Sequence, residues 1–405
     1  MTRAETEDRN WTKEFGLGTE PLNIDVYTSE EQYEQEIETI FKKCWLNVGR
    51  IEDLPNKGDY VVHNLPDLNT SILLTRDQDG EINAFHNMCS HRGNKVCQDN
   101  SGNSKFYICE FHGWAFDGKG MLRDIPDEKN FFDLDKSKLN LKAVSVDVWE
   151  GFIFINLDPN PKETLEEYLG DVVPLLKGYP FDKYTPIFGY EGEVNCNWKI
   201  SIDSQQEAYH AAYLHRRTLN GALGGKENPY IHCLDYKNLG RHRMLSMPAG
   251  DEPPRKAIDT LAAENGISIR SYTDDQDFSD WPTGLNPSRS DNWAADIYVI
   301  FPNFWVAIFN GMYQTHNFWP NGAADKMYQR ITMRGTEPEK PSQLWARQYS
   351  RCMSRDVWLE DFSTLEATAE VAKSGAYSEI HMQDQEVLCR HFHKVVKDYI
   401  DGEYE

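Results

Sequence analysis

Two short segments constrain this chain more than anything else in it: Cys89-Ser90-His91 and, seventeen residues later, Cys109-Glu110-Phe111-His112. Two thiolates and two neutral imidazoles suit a [2Fe–2S] cluster, with the cysteines on one iron and the histidines on the other; imidazole in place of thiolate raises the reduction potential. Gly93, Gly102 and Gly113 lie beside these residues and permit tight loops that bring backbone N–H groups towards sulfide. A tetrahedral zinc site is the alternative for two cysteines and two histidines. Zinc fingers of that composition, however, usually present two cysteines and then two histidines, whereas each half here alternates the two. Cys97 falls inside the loop but outside the ligand spacing and reads as a buried thiol.

The remaining six cysteines are scattered through 405 residues, which is not the pattern of a disulfide framework. The formal charge of −23 opposes a nucleic-acid partner, because phosphate recognition needs a basic footprint. No apolar run reaches the ~20 residues of a membrane-spanning helix, so neither nucleic acid nor membrane is an expected partner. The polar, acidic start (MTRAETEDRNWTKEFG) resembles no targeting signal, and the expected location is cytoplasmic.

The texture changes twice along the chain. Ser29-Glu30-Glu31-Gln32 has a capping-box pattern, followed by Tyr33, Ile37, Ile40, Phe41 and Cys44 at helical spacing. Residues 1–44 are therefore expected to form an arm and a helix that packs with the domain formed by residues 159–405. From 45 to 158 short β patterns dominate, including two strands around an Asp79-Gly80 turn. Residues 159–405 mix helix and strand: aromatic-rich strands over 297–333, closing helices over 342–374 and 382–398, and Gly375 after the first of these. The stretch 220–293 is rich in Gly, Pro, Asp and Asn and reads as long loops. The fold class is α+β, with a β-rich domain around the Cys/His segments and a larger α+β domain after it.

A second constellation, Glu207-x₂-His210-x₄-His215, follows Asn197-Trp198-Lys199. A ferrous oxygenase centre needs two histidines and one carboxylate on one side of the metal, with open positions opposite. Residues five apart on an ideal helix diverge by roughly 140°, so both histidines face one ion only if the helix ends or distorts near 213–215. Glu207 and His210, three apart, share a helical face. A carboxylate there can accept a hydrogen bond from the ring nitrogen that the metal leaves free.

NMCSHRGNKVC and FYICEFHGWAFDGKG resemble the two halves of a Rieske centre as found in the large (α) subunits of Rieske non-haem iron ring-hydroxylating oxygenases, and the 197–215 segment resembles their iron-binding helix. Ser90 stands where many members have proline. The resemblance spans about 40–375 and implies a Rieske domain followed by a helix-grip (START-like) catalytic domain. It implies a [2Fe–2S] cluster on Cys89, His91, Cys109 and His112, and Fe(II) on His210, His215 and Asp361. It also implies electrons from NAD(P)H through a separate reductase, with or without a ferredoxin, and oxidation of an apolar, aromatic or cyclic substrate by O₂, as in aromatic hydrocarbon catabolism. Monooxygenation or demethylation of a non-aromatic substrate, or simple electron carriage, are the alternatives.

The helical wheel agrees with Asp361: its i±3 and i±4 neighbours are Val357, Trp358, Thr364 and Leu365, whereas Glu360 faces a more solvated set and Asp356 is the runner-up. In the family the position of Glu207, commonly Asp, links an iron-bound histidine to a Rieske histidine of the neighbouring subunit. By resemblance these are His210 and His112, in a trimer with or without a small β subunit. Ser204 replaces a frequent asparagine near the iron. Phe301, Phe304, Trp305, Phe309, Phe318 and Trp319 suit a pocket wall or sheet core equally, and an excess of basic residues over 92–123 suggests a dock for an acidic electron donor.

Overall fold

A computed structural model of the chain describes residues 9–219, 222–250, 257–265 and 281–404. It divides into two compact units, Ile37–Tyr168 and a second made of Met1–Glu36 with Leu169–Glu405. No helix among the described residues is long and apolar enough to cross a membrane.

The Ile37–Tyr168 unit is built from short antiparallel strands. A four-stranded sheet takes Ile82–His86, Thr70–Arg76, Asp59–Leu65 and Ser101–Asn103 in that order. Thr70–Arg76 and Ile82–His86 form the hairpin that the Asp79-Gly80 signal predicts. A three-stranded sheet of Phe106–Ile108, Ala115–Asp117 and Leu122–Asp124 carries the second Cys/His segment. Cys89 and Cys109 are packed into a core with Phe85, Val96, Cys97, Tyr107, Trp114 and Phe116. The helix expected to reach residue 44 changes character: Glu30–Glu36 is α-helical, and Ile37–Phe41 is a π turn closed by Lys42 N–H on Ile37 O at 3.1 Å.

The larger unit rests on one antiparallel sheet of seven strands: β1 Thr185–Val194, β2 Asp235–Leu239, β3 His242–Pro248, β4 Trp293–Ile300, β5 Phe304–Phe309, β6 Met312–Pro320 and β7 Met327–Gly335. Their order across the sheet is β1-β7-β6-β5-β4-β3-β2, so the chain adds a far-edge strand first and then returns strand by strand to close against it. Every residue of β4 and β5 is buried, which is why these strands are apolar on both faces, Asp296 apart, and show no alternation. β2 and β3 lie in the stretch read as long loops, as does a helix at Ala257–Glu264. The reading failed there because β3 is almost wholly buried, and a two-sided strand containing His242, Arg243 and Ser246 offers no period-two signal. The remainder of that expectation, residues 220–221, 251–256 and 266–280, lies outside the described residues.

Four further elements position the site. α1 (Glu30–Glu36) ends on Glu36, and α2 (Trp198–Ser204) is capped by Asn197, whose side-chain oxygen accepts Lys199 N–H at 3.0 Å. α3 is a single turn, Ala211–Leu214, and α4 is a 32-residue rod, Pro341–Ala372, that packs along β1 and α2. The Asn-Trp-Lys lead-in has a structural role: Trp198 Nε1 and Lys199 Nζ both donate to the buried Glu36 carboxylate, at 2.8 and 2.7 Å. Lys199 and Glu36 are 1% and 0% exposed, and burial pulls the lysine below its usual range while the Glu36 charge restores part of it.

Candidate cluster loops and mononuclear metal centre

The two Cys/His segments fold into twin loops. In the first, Cys89 N–H donates to Asn94 O at 2.8 Å and Gly93 N–H to Cys89 O at 3.0 Å. In the second, Cys109 N–H donates to Trp114 O at 2.9 Å and Gly113 N–H to Cys109 O at 2.8 Å. Both glycines sit at positive φ, +79° and +76°, which a side chain would strain. At Gly113 an added Cβ would also meet Pro126 Cγ at 2.9 Å.

The loops pair like with like. The Cys89 and Cys109 thiols are within hydrogen-bonding reach of each other, and the His91 and His112 rings lie 4.5 Å apart at 71°. Two separate pairs are what a two-iron cluster requires, since each iron takes one pair. His91 is stacked on Trp114 (4.9 Å, 6°), and its buried Nδ1 has no hydrogen-bond partner among the described residues, which leaves this nitrogen available as a ligand atom. Burial raises Cys89 to about 11, so in the metal-free chain this thiol is protonated and cluster assembly must displace a proton. Asn94 Nδ2 approaches Cys109 Sγ at 3.7 Å, which adds a side-chain amide to the sulfur environment. Cys97 is buried, and burial pushes its thiol up to about 12, the behaviour of an inert core residue.

In the larger unit, α2 stops at Ser204 and the chain resumes helical structure only at α3, with His210 before its first residue and His215 after its last. α3 ends at Leu214, between the two histidines, with His215 as its C-cap, and this early end resolves the 140° divergence. The His210 and His215 Nε2 atoms come within 3.3 Å of each other, and Asp361 Oδ1 lies 3.1 Å from His215 Nε2 and 3.8 Å from His210 Nε2. Among the described residues these three form the one group whose donor atoms gather as metal ligands do, all within 4.8 Å.

Each imidazole is held by its other nitrogen. His210 Nδ1 binds Glu207 Oε1, and His215 Nδ1 lies 2.9 Å from Glu360 Oε2. With both Nδ1 atoms donating to carboxylates, both Nε2 atoms present lone pairs to one point. Asp361 Oδ1 faces the same point, buried and without a hydrogen-bond partner among the described residues. Three converging lone pairs repel unless a cation lies between them, so the residues fit a divalent metal. In the metal-free chain a proton takes part of that role: burial disfavours the His210 imidazolium, but the Glu207 and Asp361 carboxylates outweigh it and raise His210 to about 9.

Glu360 is a partner that the sequence misplaced. A helical wheel counts only neighbours on its own helix, whereas His215 and Thr218 reach Glu360 from the segment after α3. Asp356, the runner-up for the carboxylate, is exposed and paired with Arg355 at 2.6 Å. Glu207 Oε2, the oxygen expected to be available to a second histidine, accepts the His210 backbone N–H at 3.1 Å.

A cavity of about 100 Å³ opens beside the triad, bounded by Trp305, Phe309 and Trp358 together with Leu219, Leu223 and Ile297. Of the six aromatic residues expected to serve as wall or core, Trp305 and Phe309 line it, while Phe301, Phe304 and Phe318 are buried in the fold. Trp305 Nε1 donates to Gln205 O at 2.8 Å, which fixes the indole against the metal-binding segment. Ser204 also lines the cavity, but its hydroxyl donates to Ser201 O at 2.9 Å. On the other unit, two of the basic residues read as a docking patch are paired, Arg123 with Asp117 inside the window and Lys119 with Asp79 outside it, both at 2.5 Å, so Asp79 lowers the local excess of positive charge below what the sequence window implies.

Comparison with known proteins agrees with this geometry. The family model described as ring hydroxylating alpha subunit (catalytic domain) matches residues 181–402, and that of the Rieske [2Fe-2S] domain matches residues 44–145. Relatives include the large oxygenase component of the naphthalene 1,2-dioxygenase system of Pseudomonas aeruginosa, 32% identical over 53% of this chain and 48% of its own. The biphenyl 2,3-dioxygenase α subunit of Rhodococcus jostii (strain RHA1) is 33% identical over 50% of this chain and 45% of its own. The chain thus spans about half the length of the curated relatives it matches. Among solved structures, naphthalene 1,2-dioxygenase from Rhodococcus sp. has a TM-score of 0.74 at 20% identity, covering 95% of both chains. A quaternary ammonium Rieske monooxygenase, described in terms of carnitine oxidation and inter-subunit electron transfer, has a TM-score of 0.73 at 18% identity, covering 94% of this chain and 95% of its own. With its catalytic fold built around the His210–His215–Asp361 cleft and its twin Cys/His loops in a Rieske domain, the chain belongs to the ring-hydroxylating oxygenase α-subunit family.

Proposed function

We propose that this chain is a terminal oxygenase component that oxidises a small apolar organic substrate with O₂ and with electrons drawn from NAD(P)H through a separate reductase, with or without a ferredoxin. The observation that carries this reading is the convergence of His210 Nε2, His215 Nε2 and the unpartnered Asp361 Oδ1 at the edge of an aromatic-walled cavity. In this reading Cys89 and Cys109 hold one iron of the cluster and His91 and His112 the other, while His210, His215 and Asp361 hold Fe(II). The cluster supplies electrons one at a time, and the ferrous ion supplies O₂ activation.

The residues around the centre have separable tasks. Glu207 holds His210 in the tautomer that leaves Nε2 free. Trp305, anchored on Gln205, and Trp358, three residues before Asp361, form walls that orient an apolar substrate and exclude water. Glu207 is further assigned the link between His210 and His112 of a neighbouring subunit, in a trimer with or without a β subunit. Its contact with the His210 ring nitrogen supports that placement, and Oε2, although it accepts the His210 backbone N–H, has a second lone pair for another donor. The test is metal and product analysis: red-brown protein with three irons per chain, and substrate-dependent O₂ uptake that places one or two ¹⁸O atoms in the product. Colourless, zinc-loaded protein refutes the reading, and two irons without turnover makes the chain a carrier.

A further inference from the structure

The deepest asymmetry of the metal centre lies in Glu360, the carboxylate one residue before Asp361. Consecutive side chains leave a helix about 100° apart, so Glu360 and Asp361 cannot approach the same atom. The imidazole of His215 spans that gap. Its Nε2 lies 3.1 Å from Asp361 Oδ1, and its Nδ1 lies 2.9 Å from Glu360 Oε2. One helix thereby grips both nitrogens of one ring.

Glu360 is itself located from outside α4, because Thr218 Oγ1 donates to the same Oε2 at 2.7 Å. Its side chain is 22% exposed against 3% for His215, so a carboxylate at the edge of solvent is drawn inward onto a buried ring. The geometry also changes the charge count. Asp361, Glu207 and Glu360 place three carboxylates within the first two layers around an ion that carries two positive charges. Such a centre has an excess of negative charge, which stabilises the more highly charged metal state over the less charged one.

We propose that Glu360 is a positioning residue of the mononuclear centre: through His215 it fixes the imidazole for metal binding and lowers the Fe(III)/Fe(II) potential. The proposal rests on the assignment of His210, His215 and Asp361 as the ligands. It differs from the role of Glu207, which holds the other histidine from within its own segment and carries the assigned link between subunits.

The test compares Glu360→Ala, Glu360→Gln, Asp356→Asn and Asp361→Ala, each checked for an intact cluster spectrum. Metal-free protein is titrated with Co(II) alone against a competing chelator, following the visible d–d bands. Glu360→Ala is expected to weaken Co(II) binding by about 10–100-fold and to alter the bands. Glu360→Gln, which keeps an acceptor for His215 Nδ1–H but not the charge, retains affinity within a few-fold and raises the midpoint potential of the mononuclear iron in the loaded protein. Asp356→Asn, exposed and one turn away, changes neither quantity. Wild-type affinity in Glu360→Ala, or an unchanged potential in Glu360→Gln, overturns the proposal. Asp361→Ala separates the two levels. If it loses Co(II) while Glu360→Ala does not, the role of Glu360 alone fails; if it also binds normally, the ligand assignment fails.

Discussion

Metal loading should be strongly pH-dependent, for a reason visible at His210. In the metal-free chain the carboxylates of Glu207 and Asp361 outweigh burial and hold this imidazole protonated up to about pH 9. A divalent ion must displace that proton, so its apparent affinity rises tenfold per pH unit until about pH 9 and then levels off. At pH 7 the two-unit gap corresponds to a deficit of about 100-fold, or about 2.7 kcal/mol at 1.36 kcal/mol per unit. Replacing Glu207 by Gln removes the nearest charge that sustains the proton and leaves burial as the leading influence, which acts downward. The variant should therefore lose most of the slope between pH 7.5 and 9, even if its plateau affinity is lower. The assay is anaerobic Fe(II) titration of metal-free protein against a chelator from pH 6.5 to 9.5. A wild-type affinity that is flat between pH 7 and 9, or an undiminished slope in Glu207→Gln, refutes the reasoning.

The same shift bears on stability. Because His210 is raised in the folded chain, its protonation stabilises the metal-free protein fully below about pH 6.5, and that contribution is lost as the pH rises through about 9; thermal unfolding should show a falling Tm over this interval. His91→Ala or His112→Ala should abolish the visible cluster spectrum and leave the circular dichroism of the larger unit unchanged; a retained spectrum in either would reject the ligand. Gly113→Ala forces a side chain into positive φ against Pro126 and should cost about 1–2 kcal/mol in denaturant unfolding of the Rieske unit, whereas a neutral result would show that the loop relaxes. Charge reversal at Lys95, which binds the neutral Asn64 and no carboxylate among the described residues, should slow reduction by an acidic donor at low ionic strength and lose that effect in salt; rates insensitive to both exclude docking there.

What the sequence revealed follows from how local each feature is. The twin loops were legible because ligand, turn glycine and strand lie within six residues of one another, and Gly93 and Gly113 mark the turns by chemistry alone. The end of α3 at Leu214 was inferable because two histidines five apart cannot share a metal on an unbroken helix, whereas the earlier stop of α2 at Ser204 was not. Glu360 was not legible: its partners lie 145 and 142 residues away, and its own helix offers it only a solvated neighbourhood. Strand β3 was missed because burial on both faces erases alternation, and the short β2 because the Gly- and Asn-rich sequence around it reads as loop. Trp305 and Phe309 could not be told from Phe301 or Phe304, since wall and core residues on buried strands carry the same pattern.

The Glu36–Lys199 ion pair sets an order of events at the ribosome. Its two members are 163 residues apart, and the whole Ile37–Tyr168 unit is synthesised between them. At about 5–20 residues per second, Glu36 waits about 8–30 s for its partner to emerge. During that interval the Rieske unit, contiguous in sequence, can complete itself, while Glu36 still lacks the lysine that it pairs with in the folded chain. A nascent chain that lost its arm to proteolysis in this window would bury Lys199 without a counter-charge, at a cost of about 3–5 kcal/mol. That penalty falls on the helix immediately preceding His210, so damage at the start of the chain would be read out as a failure to mature the metal centre.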